Sequence, residues 1–345
     1  MDALNARPGL LRQVNRSMIR RALKRKGTAT RAEIARDTQI SSTTVRTLLF
    51  EMQQSGEIES AGFDASSGGR KAERYRIAPG RICGAAFCLS GGRAWALIVD
   101  ARGEIVESAG LNIADGEQRA IEAYLDAQFE QREIRVIGVG VPGIVEGEAY
   151  WRGVPDGAAL RRVDIGGALR ERYGVPVFLE NDLNATAVGF GRCYAREFPT
   201  ETPDALNMAY LHFEKGCVSA GFIAGGRVIR GCNRFAGEIG LIPIDAERSV
   251  DDWLAADVDD RRYVRRVVQI AAWVCGVLNP QYIALGGPNL RAECIAAVGD
   301  GLSALLPERM CAEILYAPDM WHDYRAGMAC LTAERMFEAV QLVRA

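Results

Sequence analysis

The chain has 345 residues, of which 48% are hydrophobic and 25% charged, and its formal net charge is −2. That length predicts two or three folded units, and the composition is that of a globular protein in water. No run of about 18 uncharged apolar residues occurs, which excludes a membrane-spanning helix. The opening Met1-Asp2-Ala3-Leu4-Asn5-Ala6-Arg7 lacks the apolar segment of a secretory signal, so a cytoplasmic protein is expected.

The charge is unevenly spread. Residues 1–80 carry 15 Lys/Arg against 8 Asp/Glu, whereas the remainder carries 27 against 36. A basic head on an acidic body predicts that only the head meets a polyanion. The nine cysteines form no Cys-x-x-Cys pair and their number is odd, so free thiols are expected, with no metal site and no cofactor.

Asn15 to Lys26 reads as a helix with Val14, Met18, Ile19, Ala22 and Leu23 on one face, ended by Gly27. Thr30-x-x-Glu33 is a capping box that opens a second, short helix. After the turn Thr38-Gln39-Ile40, Ser41 or Ser42 caps a third helix running to about Gln54. Val45, Leu48, Leu49 and Met52 form its core face. The opposite face begins with Ser42, Thr43, Thr44, Arg46 and Thr47, types that contact phosphates or base edges. Gly56-Glu57-Ile58-Glu59 and Arg74-Tyr75-Arg76-Ile77 read as paired strands joined by Ala65-Ser66-Ser67-Gly68-Gly69-Arg70-Lys71. This is the pattern of a winged helix-turn-helix, with Arg70 and Lys71 at a tip able to enter a minor groove. A helical hairpin used only for packing is the plainer alternative.

Beyond Pro79-Gly80 strands and helices alternate. Strands are predicted at Ile82–Leu89, Arg93–Asp100, from Ile105, at Ile134–Val141, and from Val175 to Leu179. Further strands follow at Leu206–Phe213, Ala220–Ile229 and Tyr282–Leu285. Helices are predicted at 116–131, 166–173 and 261–278. The fold class is α/β, and strand triplets with helical crossovers suggest a two-lobed, actin-like (ribonuclease H-like) ATPase fold. At the end of the Val175–Leu179 run stands Glu180-Asn181-Asp182-Leu183-Asn184. Ligands in α/β sheets sit past the carboxyl ends of strands, and carboxylates with amides suit hydroxyl groups that both donate and accept. An ordinary helix N-cap is the competing reading of the same residues. His212 and His322 read as structural, and Trp151 and Trp253 as packing rather than sugar-stacking residues.

The order Gly138-Val139-Gly140-Val141-Pro142-Gly143, Glu180-Asn181-Asp182-x-Asn184, Ala236-Gly237-Glu238-Ile239-Gly240, Asn279-Pro280 and Gly286-Gly287 resembles the ROK family of sugar kinases and sugar-responsive repressors. The resemblance spans essentially the whole chain. Its three-helix head and Gly-Arg tip place it with the repressor branch, of the xylose- or N-acetylglucosamine-repressor kind. It implies a DNA-binding domain at 1–80 and a sugar-kinase-like ROK domain at 81–345. Lobe one of the latter would take about 81–190 plus the C-terminal helix, and lobe two about 191–325. It also implies that Asn181, Asp182 and Glu238 bind sugar hydroxyls and that Pro142 and Gly143 shape the pocket floor.

The departures from the family pattern are specific. Ala86 stands where family kinases have the metal-positioning Asp. Lys215-Gly216-Cys217-Val218-Ser219-Ala220-Gly221 has lost glycines of the second phosphate loop. Leu241 replaces the His of the zinc module, and 242–252 contains neither Cys nor His. With no intact phosphate loop, no catalytic residue is assigned. The expectation is a non-enzymatic regulator of operator DNA, a homodimer or homotetramer answering to a sugar or sugar derivative. A sugar kinase carrying a DNA-binding head and a ligand-independent DNA-binding oligomer are the alternatives.

Overall fold

The computed structural model describes residues 7–64, 71–79, 82–153, 160–198, 205–256 and 258–336. Helix α1 (Arg7–Lys26) leads to the short strand β1 (Ala29–Thr30), α2 (Arg31–Thr38) and α3 (Ser42–Gln54). The capping box at α2 has both halves: Thr30 Oγ1 accepts from Glu33 N, and Glu33 Oε2 from Thr30 N. Gln39 turns the chain in the left-handed conformation before Ser41 caps α3. Strands β2 (Ile58–Phe63) and β3 (Glu73–Ile77) pair antiparallel, and β1 adds to β3. Val45, Leu48, Leu49 and Met52 are all buried against Ile19, Leu23 and Ile34. Val14 and Met18, expected inward, are 47% and 37% exposed, because α1 is covered on one side only and Ile19, Ala22 and Leu23 fill that side.

The rest of the chain repeats one topology. Strands β4 (Ile82–Ser90), β5 (Arg93–Asp100) and β6 (Ile105–Leu111) form an antiparallel meander. Helix α4 (Glu117–Phe129) and strand β7 (Glu133–Val141) follow. The small three-stranded sheet β8 (Ile144–Glu146), β9 (Ala149–Gly153) and β10 (Leu160–Val163) is inserted next, before α5 (Gly166–Tyr173), β11 (Val177–Asn181) and α6 (Asp182–Glu197). The second pass is the meander β12 (Met208–Glu214), β13 (Cys217–Ala224) and β14 (Arg227–Val228), then α7 (Val250–Ala255), α8 (Asp260–Leu278), β15 (Tyr282–Gly286), α9 (Ile295–Leu305), β16 (Glu313–Ala317) and α10 (Met320–Arg335). The resulting sheets have orders β6-β5-β4-β7-β11 and β14-β13-β12-β15-β16, each a meander extended by two parallel strands. The strand expected to run from Ala220 to Ile229 is broken at Gly225-Gly226, whose φ values of +54° and +69° make a turn.

Alternation along the strands decides what each sheet packs against. In β4, Cys83, Ala85, Phe87 and Leu89 face the cluster with Ile121, Leu125 and Leu169, while Ala86 and Cys88 face the opposite side. In β12, Ala209, Leu211 and Phe213 face α8 and α9, while Met208 and Tyr210 join Ala86 and Cys88 in a shared inner cluster. Helices α6 and α10 fill that inner space through Ala185, Ala187, Val188, Tyr324, Met328 and Leu331. They touch backbone to backbone. A Cβ on Gly189 would lie 1.8 Å from the Asp323 carbonyl oxygen, and one on Gly327 would lie 1.7 Å from that of Ala185. Both glycines stand seven residues past the first residue of their helix, so the crossing sits on the approximate two-fold axis of the repeated topology. No helix among the described residues is long and apolar enough to cross a membrane.

Candidate functional site

Two surfaces carry the residues singled out by the sequence. The first is the outer face of α3. Ser41 spends its hydroxyl on the cap, accepting from Thr44 N at 3.2 Å and bonding Thr44 Oγ1 at 2.8 Å. Thr44 is thereby half-buried and occupied, whereas Ser42, Thr43, Arg46 and Thr47 are exposed. Thr47 Oγ1 donates to Thr43 O, which leaves its lone pairs outward. Arg46 makes no ion pair among the described residues. Phe50, one turn on, is 62% exposed. Arg31 and Arg36 on α2 and Lys71 before β3 are also exposed. Arg70 lies outside the described residues. Arg74 is committed elsewhere: it joins Asp64, Glu33 and Thr28 and ties β3 to the start of α2.

The second surface lies where β7, β11 and α6 meet the β12–β13 hairpin. Pro142 and Gly143, both half-buried, follow β7. Gly143 has φ +122°, and a Cβ there would stand 2.2 Å from Trp151 O, so only glycine lets β9 close over this turn. Asn181 is the N-cap of α6: its Oδ1 accepts from Leu183 N and Asn184 N, both at 3.0 Å, and its Nδ2 donates to Gly143 O at 3.0 Å. Its side-chain amide is thus engaged at both ends. Glu180 is buried and accepts from Asn184 Nδ2, and Arg230, beyond β14, reaches across to pair with it. That pair ties one repeat to the other.

Asp182 is the buried acid of the site. Its Oδ2 accepts from Ser90 Oγ at 3.0 Å and its Oδ1 from its own helix at Leu183 N. Burial pushes its pKa up to about 6, against the lowering effect of those two hydrogen bonds and of nearby His212. His212, on β12, is buried with neither ring nitrogen hydrogen-bonded, and its Nε2 stands 3.4 Å from Glu214 Oε1. Asn184 Oδ1 is likewise buried without a partner. Buried polar atoms are ordinarily hydrogen-bonded, so these unpaired ones mark positions that a bound molecule can satisfy.

Glu238 is half-buried at the start of a 3-10 helix, Ile239–Leu241, and burial with the nearby charge of Asp251 raises its pKa. Asp251 accepts from Val218 N at 2.8 Å, under Gly240. Burial pushes the Cys217 thiol up, and the nearby charges of Asp251, Glu214 and Glu238 raise it further. Lys215-Gly216 is only a tight hairpin turn, and Gly221 is needed for packing, since a Cβ there would strike Leu183 O. Trp253 stacks near Trp273 and Arg266, and Trp151 donates its indole N–H to Glu146. Ser90, His212 and Arg230 were not among the expected site residues. Their relation to Asp182 and Glu180 is made by pairing between distant strands, which no local spacing announces.

Residues 89–252 match the family model described as ROK family. A putative xylose repressor of Caldicellulosiruptor sp. (strain Rt8B.4) is 28% identical over 68% of this chain and 60% of its own length. The DNA-binding transcriptional dual regulator NagC of Escherichia coli (strain K12) is 23% identical over 68% of this chain and 59% of its own. The chain thus spans about 60% of the length of these curated relatives. Among solved structures, a ROK family transcriptional regulator described as a homolog of the E. coli MLC protein superposes with a TM-score of 0.71 at 16% identity, covering 95% of this chain and 98% of that one. ROK hexokinase from Thermus thermophilus gives 0.56 at 22% identity over 72% and 97%. The α/β fold therefore resembles that of ROK sugar kinases and of a ROK regulator, and residues 89–252 match the ROK family model.

Proposed function

We propose that the chain is a DNA-binding transcriptional repressor whose affinity for its operator is set by a sugar or sugar derivative held beside Asp182. Residues 1–80 are its winged helix-turn-helix domain and 81–345 its two-lobed, actin-like ROK domain. The observation that carries this reading is the outer face of α3: Ser42, Thr43, Arg46 and Thr47 are exposed, on a helix whose other side is fully buried. A helix fixed so firmly on one side presents its N-terminal side chains to a major groove. Relatives named as xylose and N-acetylglucosamine repressors favour the same reading.

In the cleft, Asp182, Glu238 and Asn184 Oδ1 supply acceptors for sugar hydroxyls, and His212 supplies a further polar edge. Asn181 acts from one step back, holding Gly143 and the start of α6. The Glu180–Arg230 pair links the two lobes across this cleft. A ligand that contacts both lobes favours one mutual arrangement of them and so changes operator affinity only by its differential affinity for the two states. Phosphoryl transfer is not part of this function, because buried Ala86 and the tight Lys215-Gly216 turn offer neither a metal carboxylate nor a phosphate cradle. The protein acts as a homodimer or homotetramer on a palindromic site.

The test is fluorescence anisotropy on operator fragments selected from random DNA by the purified chain, with and without a panel of sugars, amino sugars and their phosphates. Selective binding that one sugar changes in the wild type and not in Asp182→Ala is expected. Selection of no DNA sequence overturns the reading.

A further inference from the structure

The α6–α10 crossing carries a set of donors that the effector site does not use. Cys193 follows Gly189 by four residues and Asp323 precedes Gly327 by four, so helical periodicity stacks both on the crossing face. The Cys193 thiol, a ring nitrogen of His322 and a carboxylate oxygen of Asp323 all lie within 4.8 Å of one another. His322 Nδ1 stands 3.2 Å from Asp323 Oδ1. Asp323 is buried and is paired with no lysine or arginine among the described residues, while Cys193 is half-buried and the His322 ring largely exposed. The partner of Asp323 is the exposed His322 ring, and a buried carboxylate is costly unless it is neutralised.

The approximate two-fold axis provides an internal control. The positions equivalent to Cys193, His322 and Asp323 in the other repeat are Leu331, Asn184 and Ala185. Packing at this crossing therefore does not require the triad.

We propose that Cys193, His322 and Asp323 bind one divalent transition metal of the zinc class, with water as the fourth ligand, and that the metal clips α6 to α10. Bonds of about 2.3 Å to sulfur and 2.0–2.1 Å to nitrogen and oxygen give tetrahedral edges of roughly 3.3–3.6 Å. Donors within 4.8 Å of one another reach that spacing by movements of about 1 Å. Thiolate and imidazole select zinc, cobalt or copper over magnesium or calcium. On binding, the Cys193 S–H proton passes to solvent and the metal takes its place. The site lies outside 242–252, where the family resemblance would put a metal.

The probe is Co2+ titrated into the full chelator-treated chain, followed by near-ultraviolet thiolate-to-cobalt absorption and by calorimetry, with Zn2+ displacement afterwards. One metal per chain is expected, with a thiolate band abolished in Cys193→Ser, an at least tenfold weaker affinity in His322→Ala, and both properties kept in Cys217→Ser. His322 is exposed, so its variant tests the site without disturbing the core, and circular dichroism verifies folding. A thiolate band that survives Cys193→Ser, unchanged affinity in folded His322→Ala, or no uptake of cobalt overturns the assignment.

Discussion

Asp182→Asn should make the protein more stable at neutral pH while weakening its hold on effector. The folded-state pKa of about 6 stands above the ordinary 3.8 because burial disfavours the carboxylate. Between those two values the folded chain binds the proton more tightly than the unfolded one, so stability falls as pH rises through that window. The full penalty stands above about pH 6. A shift of two units corresponds to about 3 kcal/mol. Asparagine removes the charge but keeps one acceptor oxygen for the two donors, Ser90 Oγ and Leu183 N, which forfeits a hydrogen bond worth about 1 kcal/mol. The net is a gain of about 2 kcal/mol at pH 8 that vanishes and reverses sign below about pH 4. With an unfolding entropy near 2.1 cal/mol/K per residue, this chain should melt about 3 °C higher. Thermal unfolding of both proteins from pH 4 to 8 measures it. A variant that melts below wild type at pH 8, or a difference that does not change with pH, would refute the reasoning about burial.

Three further outcomes are expected. Arg46→Ala should weaken operator binding by about 10- to 100-fold with unchanged thermal stability, because the side chain is exposed and unpaired; anisotropy titration reads it, and unchanged affinity would remove α3 from the DNA surface. Gly327→Ala should cost roughly 3 kcal/mol or more in denaturant unfolding, since its Cβ would overlap the Ala185 carbonyl and both helices would have to part. Arg230→Ala should cost about 3 kcal/mol by leaving buried Glu180 without its cation, and adding Glu180→Gln should restore much of that loss; equal stability of the single and double variants would show that the pair is only incidental.

The sequence made local features legible where one short segment contains the whole cause. The Thr30/Glu33 capping box and the inward face of α3 needed only residues three and four apart. The start of α1 was placed at Asn15 instead of Arg7, although Pro8 in the first turn is an available start signal. Val14 and Met18 fit the helical stripe but not the packing, because periodicity marks a face and not what covers it. In the cleft, the run from Glu180 to Asn184 gave the right residue types at the end of a strand. It did not reveal which lone pairs are already spent: Asn181 is consumed by its cap and by Gly143, whereas His212, set aside as structural, stands beside Glu214 and keeps an unpaired Nδ1. Arg230 joins Glu180 from 50 residues away, a relation set by the repeated topology rather than by spacing.

The short passage from β3 to β4 has a mechanical consequence. Strand β3 closes the hairpin beside α3 and ends at Ile77, and β4, in the middle of the first five-stranded sheet, begins at Ile82. Ala78 N is also bonded to Glu57 O, which extends the hairpin toward the junction. Only four residues separate the two strands, so the hairpin and the sheet are joined by a short stretch of chain. A turn of roughly ten degrees moves a point about 34 Å away, one half-site spacing, by about 6 Å, or nearly two base pairs. In the operator-bound dimer proposed above, a rotation of that size between the two copies would put one reading helix out of phase with the groove.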